Sequence, residues 1–132
     1  METMTDHHAP GDLQPDGSGI DEMAAEPFCP AFHSAIELIG RRWTGAVLRA
    51  MFAGATRFSD IAATVPGLSD RLLAERLREL EDRGIVARTV IPDRPVRIEY
   101  RLTERGRDLE PVMESVSVWA NRWLAEEFTE RA

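Results

Sequence analysis

A short break between two helical segments, followed at once by two β-rich segments, is the feature that most constrains the fold of this chain. Residues 58–64 (FSDIAAT) have a helical pattern, which the turn-forming residues 66–69 (PGLS) interrupt. The next segment resumes it, because Leu73, Leu77 and Leu80 fall at i, i+4 and i+7 and form one stripe up to Gly84. A short helix, a turn with glycine and a longer helix predict a helix-turn-helix.

The period changes after Gly84. Residues 85–91 (IVARTVI) and 96–102 (VRIEYRL) are rich in β-forming residues, and the second segment alternates. One of its faces carries Val96, Ile98, Tyr100 and Leu102, and the other carries Arg97, Glu99 and Arg101. Residues 92–95 (PDRP) form a short, stiff turn between them. The pattern predicts a two-stranded β-hairpin, or wing, with its tip near Arg94.

Further helices flank this centre. We expect a first helix that begins near Pro30 and ends at Gly40, and a second from about Arg42 to Phe52. A long final helix is expected to begin at the cap Thr103. Its apolar stripe comprises Leu109, Val112, Met113, Val116, Trp119, Ala120, Trp123 and Leu124, and such a stripe needs a covering surface. The predicted fold class is α+β, mainly α: a winged helix-turn-helix with a long C-terminal helix.

The charge distribution divides the chain into three parts. The net charge is −7, yet residues 40–107 carry 14 arginines against nine acidic residues. Residues 1–39 carry eight acidic residues and no arginine or lysine, and residues 108–132 carry two arginines and six acidic residues. Residues 1–26 are acidic and poor in large apolar groups, which predicts a disordered tail before an ordered domain at 27–132. A basic middle between acidic ends indicates a polyanionic partner, although a mixed soluble surface would show a similar count.

Other classes of protein find little support in the sequence. It has no nucleophile–base pattern, no Gly-rich phosphate loop and no metal-ligand spacing, so we expect no enzyme activity, no cofactor and no metal. The single cysteine, Cys29, fits a reducing compartment. No signal peptide or membrane-spanning run is visible, and we therefore expect a cytoplasmic protein that does not bind membranes.

The exposed face of the longer helix is the predicted site of contact with double-stranded DNA. A helix N-terminus favours phosphate, arginines reach guanine or phosphate, and a wing reaches the backbone or minor groove. Glu75 either accepts a hydrogen bond from a cytosine amino group or forms an ion pair with Arg71 or Arg78, and we favour the ion pair. The alternative is a winged helix that binds proteins and not DNA. The candidate DNA-binding residues are Arg57, Ser69, Asp70, Arg71, Ala74, Glu75, Arg78, Arg88, Arg94 and Arg97.

Three stretches carry a specific resemblance: CP at 29–30, IELIGRRWTGAVLRAMFAGATRFSDIAATVPGLSDRLLAERLRELEDRGIV at 36–86, and VRIEYRLTERGRDLEPVMESVSVWANRW at 96–123. They closely resemble the HxlR family of bacterial transcriptional regulators, winged-helix relatives of MarR-type proteins. The resemblance implies a homodimer whose interface is formed by the first and last helices. The dimer would bind a near-palindromic operator. The implied interface adds Phe28, Phe32 and Ile36 to the final stripe.

Two residues carry open alternatives for an effector. Several proteins of the HxlR family sense electrophiles or oxidants through a cysteine at the position of Cys29, and a thiol at a helix start is favoured as the reactive thiolate. Cys29 is otherwise a small apolar residue in the first helix. Trp43 either lines a small-molecule pocket, as in neighbouring families, or packs beneath the helix-turn-helix. We favour packing.

Overall fold

The computed structural model describes residues 27–131, with side chains as far as Thr129. The acidic tail predicted for residues 1–26 lies outside the described residues. The chain divides into two compact units, the first ending at Arg41 and the second beginning at Arg42. The first contains helix α1 (Pro30–Ile39). The second contains α2 (Thr44–Phe52), α3 (Phe58–Thr64), α4 (Asp70–Asp82), β1 (Val86–Ile91), β2 (Arg97–Leu102), α5 (Glu104–Arg107), α6 (Glu110–Trp123) and α7 (Ala125–Arg131).

Helix α1 begins and ends where the sequence predicts. Pro30 lies in its first turn, where a missing N–H costs nothing, and Gly40 is its C-cap. Cys29 is the N-cap, and its Sγ accepts a hydrogen bond from the backbone N–H of Phe32 at 3.4 Å. Helix α1 has no buried residue, and Phe28, Phe32 and Ile36 are exposed on this unit.

Helix α2 begins at Thr44, two residues later than predicted. Trp43 precedes it with φ of 77°, a left-handed conformation that is rare for a bulky side chain. The carbonyl of Arg42 also has another partner, because it accepts a hydrogen bond from Arg76 Nε at 2.9 Å. Arg42 and Trp43 therefore form a bend before the helix and not its first turn.

The helix-turn-helix is confirmed, and its apolar faces form the core of the second unit. Helix α2 packs against α3, α4 and α6, and α4 also packs against β1. The predicted stripe of Leu73, Leu77 and Leu80 is almost completely buried. Gly67 adopts a φ of 86° in the turn, which glycine tolerates best. The remaining apolar core residues are Val47, Leu48, Ala50, Met51, Ile61, Val65, Leu68, Ile85 and Val86.

The two strands pair antiparallel from Val86 opposite Leu102 to Ile91 opposite Arg97, which confirms the wing. The N–H of Tyr100 donates to the carbonyl of Thr56, so β2 is also attached to the segment before α3. The alternation does not lead to burial of the whole apolar face, because the hairpin extends beyond the core. Ile98 and Val96 are exposed, whereas Glu99 on the charged face is only 7% exposed.

The C-terminal helix is long, but the prediction that it begins at the cap Thr103 is wrong. Thr103 caps only α5, by accepting a hydrogen bond from the N–H of Gly106. Helix α6 begins anew at Glu110 and ends at Trp123. The reason is Pro111, which would clash in the interior of a continuous helix but is tolerated in the first turn of α6. Gly106 lies so close to β1 that a Cβ there would be 2.2 Å from the carbonyl oxygen of Ile85.

Helix α6 has one broad apolar surface. Leu109, Met113, Ala120 and Leu124 are half-buried on the part that turns towards α2. At about 100° per residue, Val112, Val116, Trp119 and Trp123 form an adjacent stripe, and all four are exposed. Among the described helices, none is long and apolar enough to cross a membrane.

Arginines lie around the buried carboxylate of Glu99, which is opposite Thr89 in the wing. Arg101 approaches it to 2.6 Å and Arg97 to 3.5 Å. The hydrogen bond from Arg101 lowers the pKa of Glu99 below its ordinary value, burial opposes this shift, and the charges of Arg101, Arg97 and Arg57 reinforce it. Because the pKa is lowered in the folded state, this stabilisation is present above the ordinary value of 4.5 and is lost as the pH falls through the folded-state pKa.

We expect Glu99→Gln to lower the free energy of unfolding at pH 7, because glutamine cannot carry the charge that the arginines surround. The difference from the wild type should shrink as the pH falls below about 4.5 and vanish in acid. Urea unfolding of both proteins at several pH values measures this. Glu81→Gln, an equal charge change at an exposed position of α4, should show no such pH dependence. A deficit in Glu99→Gln that stayed constant with pH would contradict the ion-pair interpretation.

Candidate nucleic-acid interface

The exposed face of α4 presents a charged surface opposite the buried leucines. Arg71, Glu75 and Arg78 lie within roughly 40° of the pole that faces away from Leu73. Arg71 and Arg78 are exposed, and Glu75 is half-buried. Arg71 Nε lies 3.8 Å from a carboxylate oxygen of Glu75, one turn further on. Arg78 has no ion pair among the described residues.

The N-terminal turn of α4 is capped and open to solvent. Ser69 Oγ accepts a hydrogen bond from the N–H of Leu72 at 3.1 Å, which leaves its hydroxyl hydrogen available to an acceptor such as phosphate. Ser69 and Asp70 are exposed, and Ala74 is half-buried. This turn provides unpaired backbone N–H groups, although the carboxylate of Asp70 opposes an anion there.

Arg76 is the residue of this helix that sequence reasoning missed. It is only 7% exposed, and its guanidinium donates to the Arg42 carbonyl at 2.9 Å and to Glu79 at 3.2 Å. Helical periodicity puts Arg76 on the shoulder of α4, which gives no signal that a carbonyl from another segment lies there. Glu79 therefore forms an ion pair within α4.

The arginines of the wing differ in how many charges oppose them. Arg97 lies 2.8 Å from Asp93 and 3.5 Å from Glu99, so carboxylates already oppose its charge. Arg88 and Arg94 are exposed and have no ion pair among the described residues. Arg57 is the exposed N-cap of α3, and its charge also acts on Glu99. Arg57, Arg88 and Arg94 therefore keep more of their positive charge for a polyanion than Arg97 does.

Trp43 packs against the turn of the helix-turn-helix. A Cβ on Gly67 would be 3.5 Å from the tip of the Trp43 ring, and the guanidinium of Arg42 lies 5.2 Å from the ring centroid. An open cleft of about 340 Å³ lies between α2 and α6, lined by Arg49, Phe52, Ala53, Glu110, Met113, Glu114 and Ser117. Arg49 hydrogen-bonds Ser117 across it. Trp43 does not line this cleft, and a ligand-binding role for Trp43 stays a prediction.

Known proteins place the whole arrangement in one family. The family model for the HxlR-like helix-turn-helix matches residues 38–128 of this chain. The uncharacterised regulator YvaP of Bacillus subtilis is 43% identical over 106 residues, which cover 80% of this chain and 98% of YvaP. YodB, an HTH-type transcriptional regulator of the same organism, is 42% identical over 95 residues, which cover 72% of this chain and 85% of YodB.

Solved structures agree with the sequence relatives. The reduced form of YodB superposes with a TM-score of 0.68 over 75% of this chain and 97% of YodB, at 40% identity. YodB is also known in diamide-treated and quinone-bound forms. The redox regulator HypR in its reduced form gives a TM-score of 0.66 over 74% of this chain and 98% of HypR, at 36% identity. MarR-family regulators are among the structural neighbours as well. The chain is therefore a helix-turn-helix transcriptional regulator and belongs to the HxlR-like family.

Proposed function

We propose that the protein is a homodimeric repressor that binds a pseudo-palindromic DNA operator in the bacterial cytoplasm. The observation that carries this proposal is the exposed pole of α4, where Arg71 and Arg78 lie opposite the buried leucine stripe. A recognition helix of this kind enters the major groove with its N-terminal residues at the base edges. The exposed arginines of the wing, Arg88 and Arg94, then contact the backbone or the minor groove. Repression is the simplest outcome, because a protein bound at a promoter excludes polymerase without further contacts.

A winged-helix module that binds a protein is the alternative function, and the distribution of charge favours DNA over it. Arg57, Arg78, Arg88 and Arg94 are exposed on the unit that carries the helix-turn-helix, and none has an ion pair among the described residues. Unpaired arginines are suited to phosphate, because each contact releases a condensed counterion. A protein-binding winged helix would show no such dependence on salt for DNA.

We expect wild-type protein to bind its own upstream DNA with an affinity that falls steeply as salt rises. Arg94→Ala should weaken binding to all duplexes by a similar factor and reduce the slope of log K against log salt by about 1 per contact, as for a lost phosphate contact. Fluorescence polarisation over a salt series measures both. Arg122→Ala, an equal charge loss on α6, should leave the slope unchanged. Absence of salt-sensitive binding to any genomic fragment would contradict the DNA-binding proposal.

The homodimer rests on apolar surface that the single chain leaves exposed. Val112, Val116, Trp119 and Trp123 form one stripe on α6, and the two tryptophans are 57% and 60% exposed. Large aromatic side chains at this exposure are typical of an interface. A second copy of the chain offers the same stripe, so a two-fold axis would bring like faces together. Phe28, Phe32 and Ile36 are also exposed on the first unit, and we propose them as further interface residues.

Two substitutions on α6 separate this interface from a general effect of surface charge. Val116→Glu places a carboxylate in the stripe, and we expect it to shift the protein to monomers. Val118→Glu makes the same change at a similarly exposed position on the other side of the helix and should leave a dimer. Analytical ultracentrifugation at micromolar concentrations measures both. A dimer that survives Val116→Glu but not Val118→Glu would place the interface elsewhere.

Redox regulation at Cys29 is a second proposed property. Cys29 is a free cysteine at the N-cap of α1, where the N–H of Phe32 points at its Sγ. The thiolate of a cysteine is the form that attacks electrophiles. Because the sequence contains no second cysteine, Cys29 can form a disulfide only with Cys29 of another copy or with a low-molecular-weight thiol. A quinone would instead form a thioether adduct with Cys29. Diamide and quinone are the compounds with which YodB has been studied. A small-molecule ligand in the cleft between α2 and α6 is the alternative effector.

Cys29→Ser tests the redox proposal, because serine is also a good N-cap and should preserve α1. We expect the wild type to change its DNA affinity after either reagent, with a disulfide between two chains after diamide and the mass of the quinone adduct at Cys29 after benzoquinone. The serine variant should bind DNA normally and respond to neither reagent. If the serine variant responded as the wild type does, the effector would act elsewhere, and a ligand that raises the melting temperature and releases DNA would favour the cleft.

A further inference from the structure

Glu75 is an acidic residue at the centre of the surface that we propose to face DNA, where its charge opposes phosphate. Its two carboxylate oxygens have different partners. One lies 3.8 Å from Nε of Arg71, and the other lies 3.7 Å from Nη1 of Arg76. One carboxylate therefore connects an exposed guanidinium with a buried one.

The buried end of this connection is fixed. Arg76 is held by the Arg42 carbonyl and by Glu79, at 2.9 and 3.2 Å. A group with two hydrogen bonds in a largely buried position has little freedom to move. Glu75 is thus attached through Arg76 to the bend before α2, and not merely to a neighbouring surface side chain.

The exposed end is Arg71, whose side chain is 89% exposed. A long side chain at this exposure would sample many rotamers and lose that freedom on binding. The carboxylate of Glu75 restricts it and offsets its charge. Arg78 lies on the same pole, seven residues further along α4. It has no ion pair among the described residues, so it keeps its full charge for phosphate.

We infer that Glu75 is a positioning residue that makes Arg71 a reader of base edges instead of a general phosphate contact. Glu75 orients the Arg71 guanidinium, and it weakens binding to phosphate that carries no sequence information. The inference rests on the proposed DNA binding and names the residue that determines its specificity. Glu75 then improves discrimination between sequences while lowering affinity for DNA in general.

Binding measurements on two duplexes test this role. One duplex is selected from a random library by the full-length wild-type protein, and the other is a scrambled duplex of equal composition. We expect Glu75→Gln to lower the ratio of the two affinities about tenfold, within the range that one bidentate base contact provides. Most of the change should be tighter binding to the scrambled duplex. The salt slope for binding of Glu75→Gln to the scrambled duplex should steepen by about 1 per subunit, because Arg71 becomes free to bind phosphate.

Glu81→Gln is the matched control, because it removes the same charge from the same helix at an exposed position away from the pole. It should leave the affinity ratio unchanged. In a double-mutant cycle on the scrambled duplex, Glu75→Gln and Arg71→Ala should be coupled, whereas Glu75→Gln and Arg78→Ala should be additive. Thermal unfolding of each variant checks that the fold is retained.

Three results would overturn the inference while the proposed function stands. The affinity ratio could be the same in Glu75→Gln as in the wild type. Glu81→Gln could lower it equally, which would make the effect one of net charge. The loss could be confined to one cytosine with no coupling to Arg71, which would make Glu75 itself the base contact. A wild-type protein with no salt-sensitive DNA binding would instead overturn the proposed function, and this inference with it.

Discussion

The hydrogen bond from Arg76 to the carbonyl of Arg42 fixes α4 to the rest of the second unit. A guanidinium that is nearly excluded from water must have partners, and removing one would leave a buried polar group unsatisfied. The carbonyl belongs to the bend before α2, and the next residue, Trp43, is left-handed with its ring against Gly67. The start of α2, the turn and α4 therefore constrain one another, so that the helix-turn-helix behaves as a unit.

Local sequence patterns predicted most of the helices, because each depends on features that are close together in the chain. The leucine stripe of α4, the turn before it and the end of α1 at Gly40 are of this kind. The break before α6 also had a local signal in Pro111, which a continuous helix from Thr103 would place in its interior. By contrast, the burial of Arg76 and Glu99 depends on groups that folding brings to them, and no periodicity reports such partners.

The candidate interface shows the same division. Helical geometry alone put Arg71, Glu75 and Arg78 on one pole, and the structure agrees. The number of arginines in the basic middle of the chain, however, overstates the charge available to a polyanion. Arg97 and Arg101 are engaged by carboxylates within the wing, those of Asp93 and Glu99. Arg76 is buried, so its charge holds the fold and does not add to the exposed surface.

Helix α6 connects the two levels of the proposed assembly. One part of its apolar surface packs towards α2, and the adjacent stripe is the surface proposed for the second subunit. The distance between the two recognition helices in such a dimer therefore depends on how α6 is seated on α2. That packing is incomplete: Arg49 reaches Ser117 across an open cleft. Because closely packed surfaces resist displacement more than open ones, a shift of α6 at this cleft would alter the spacing of the recognition helices in such a dimer.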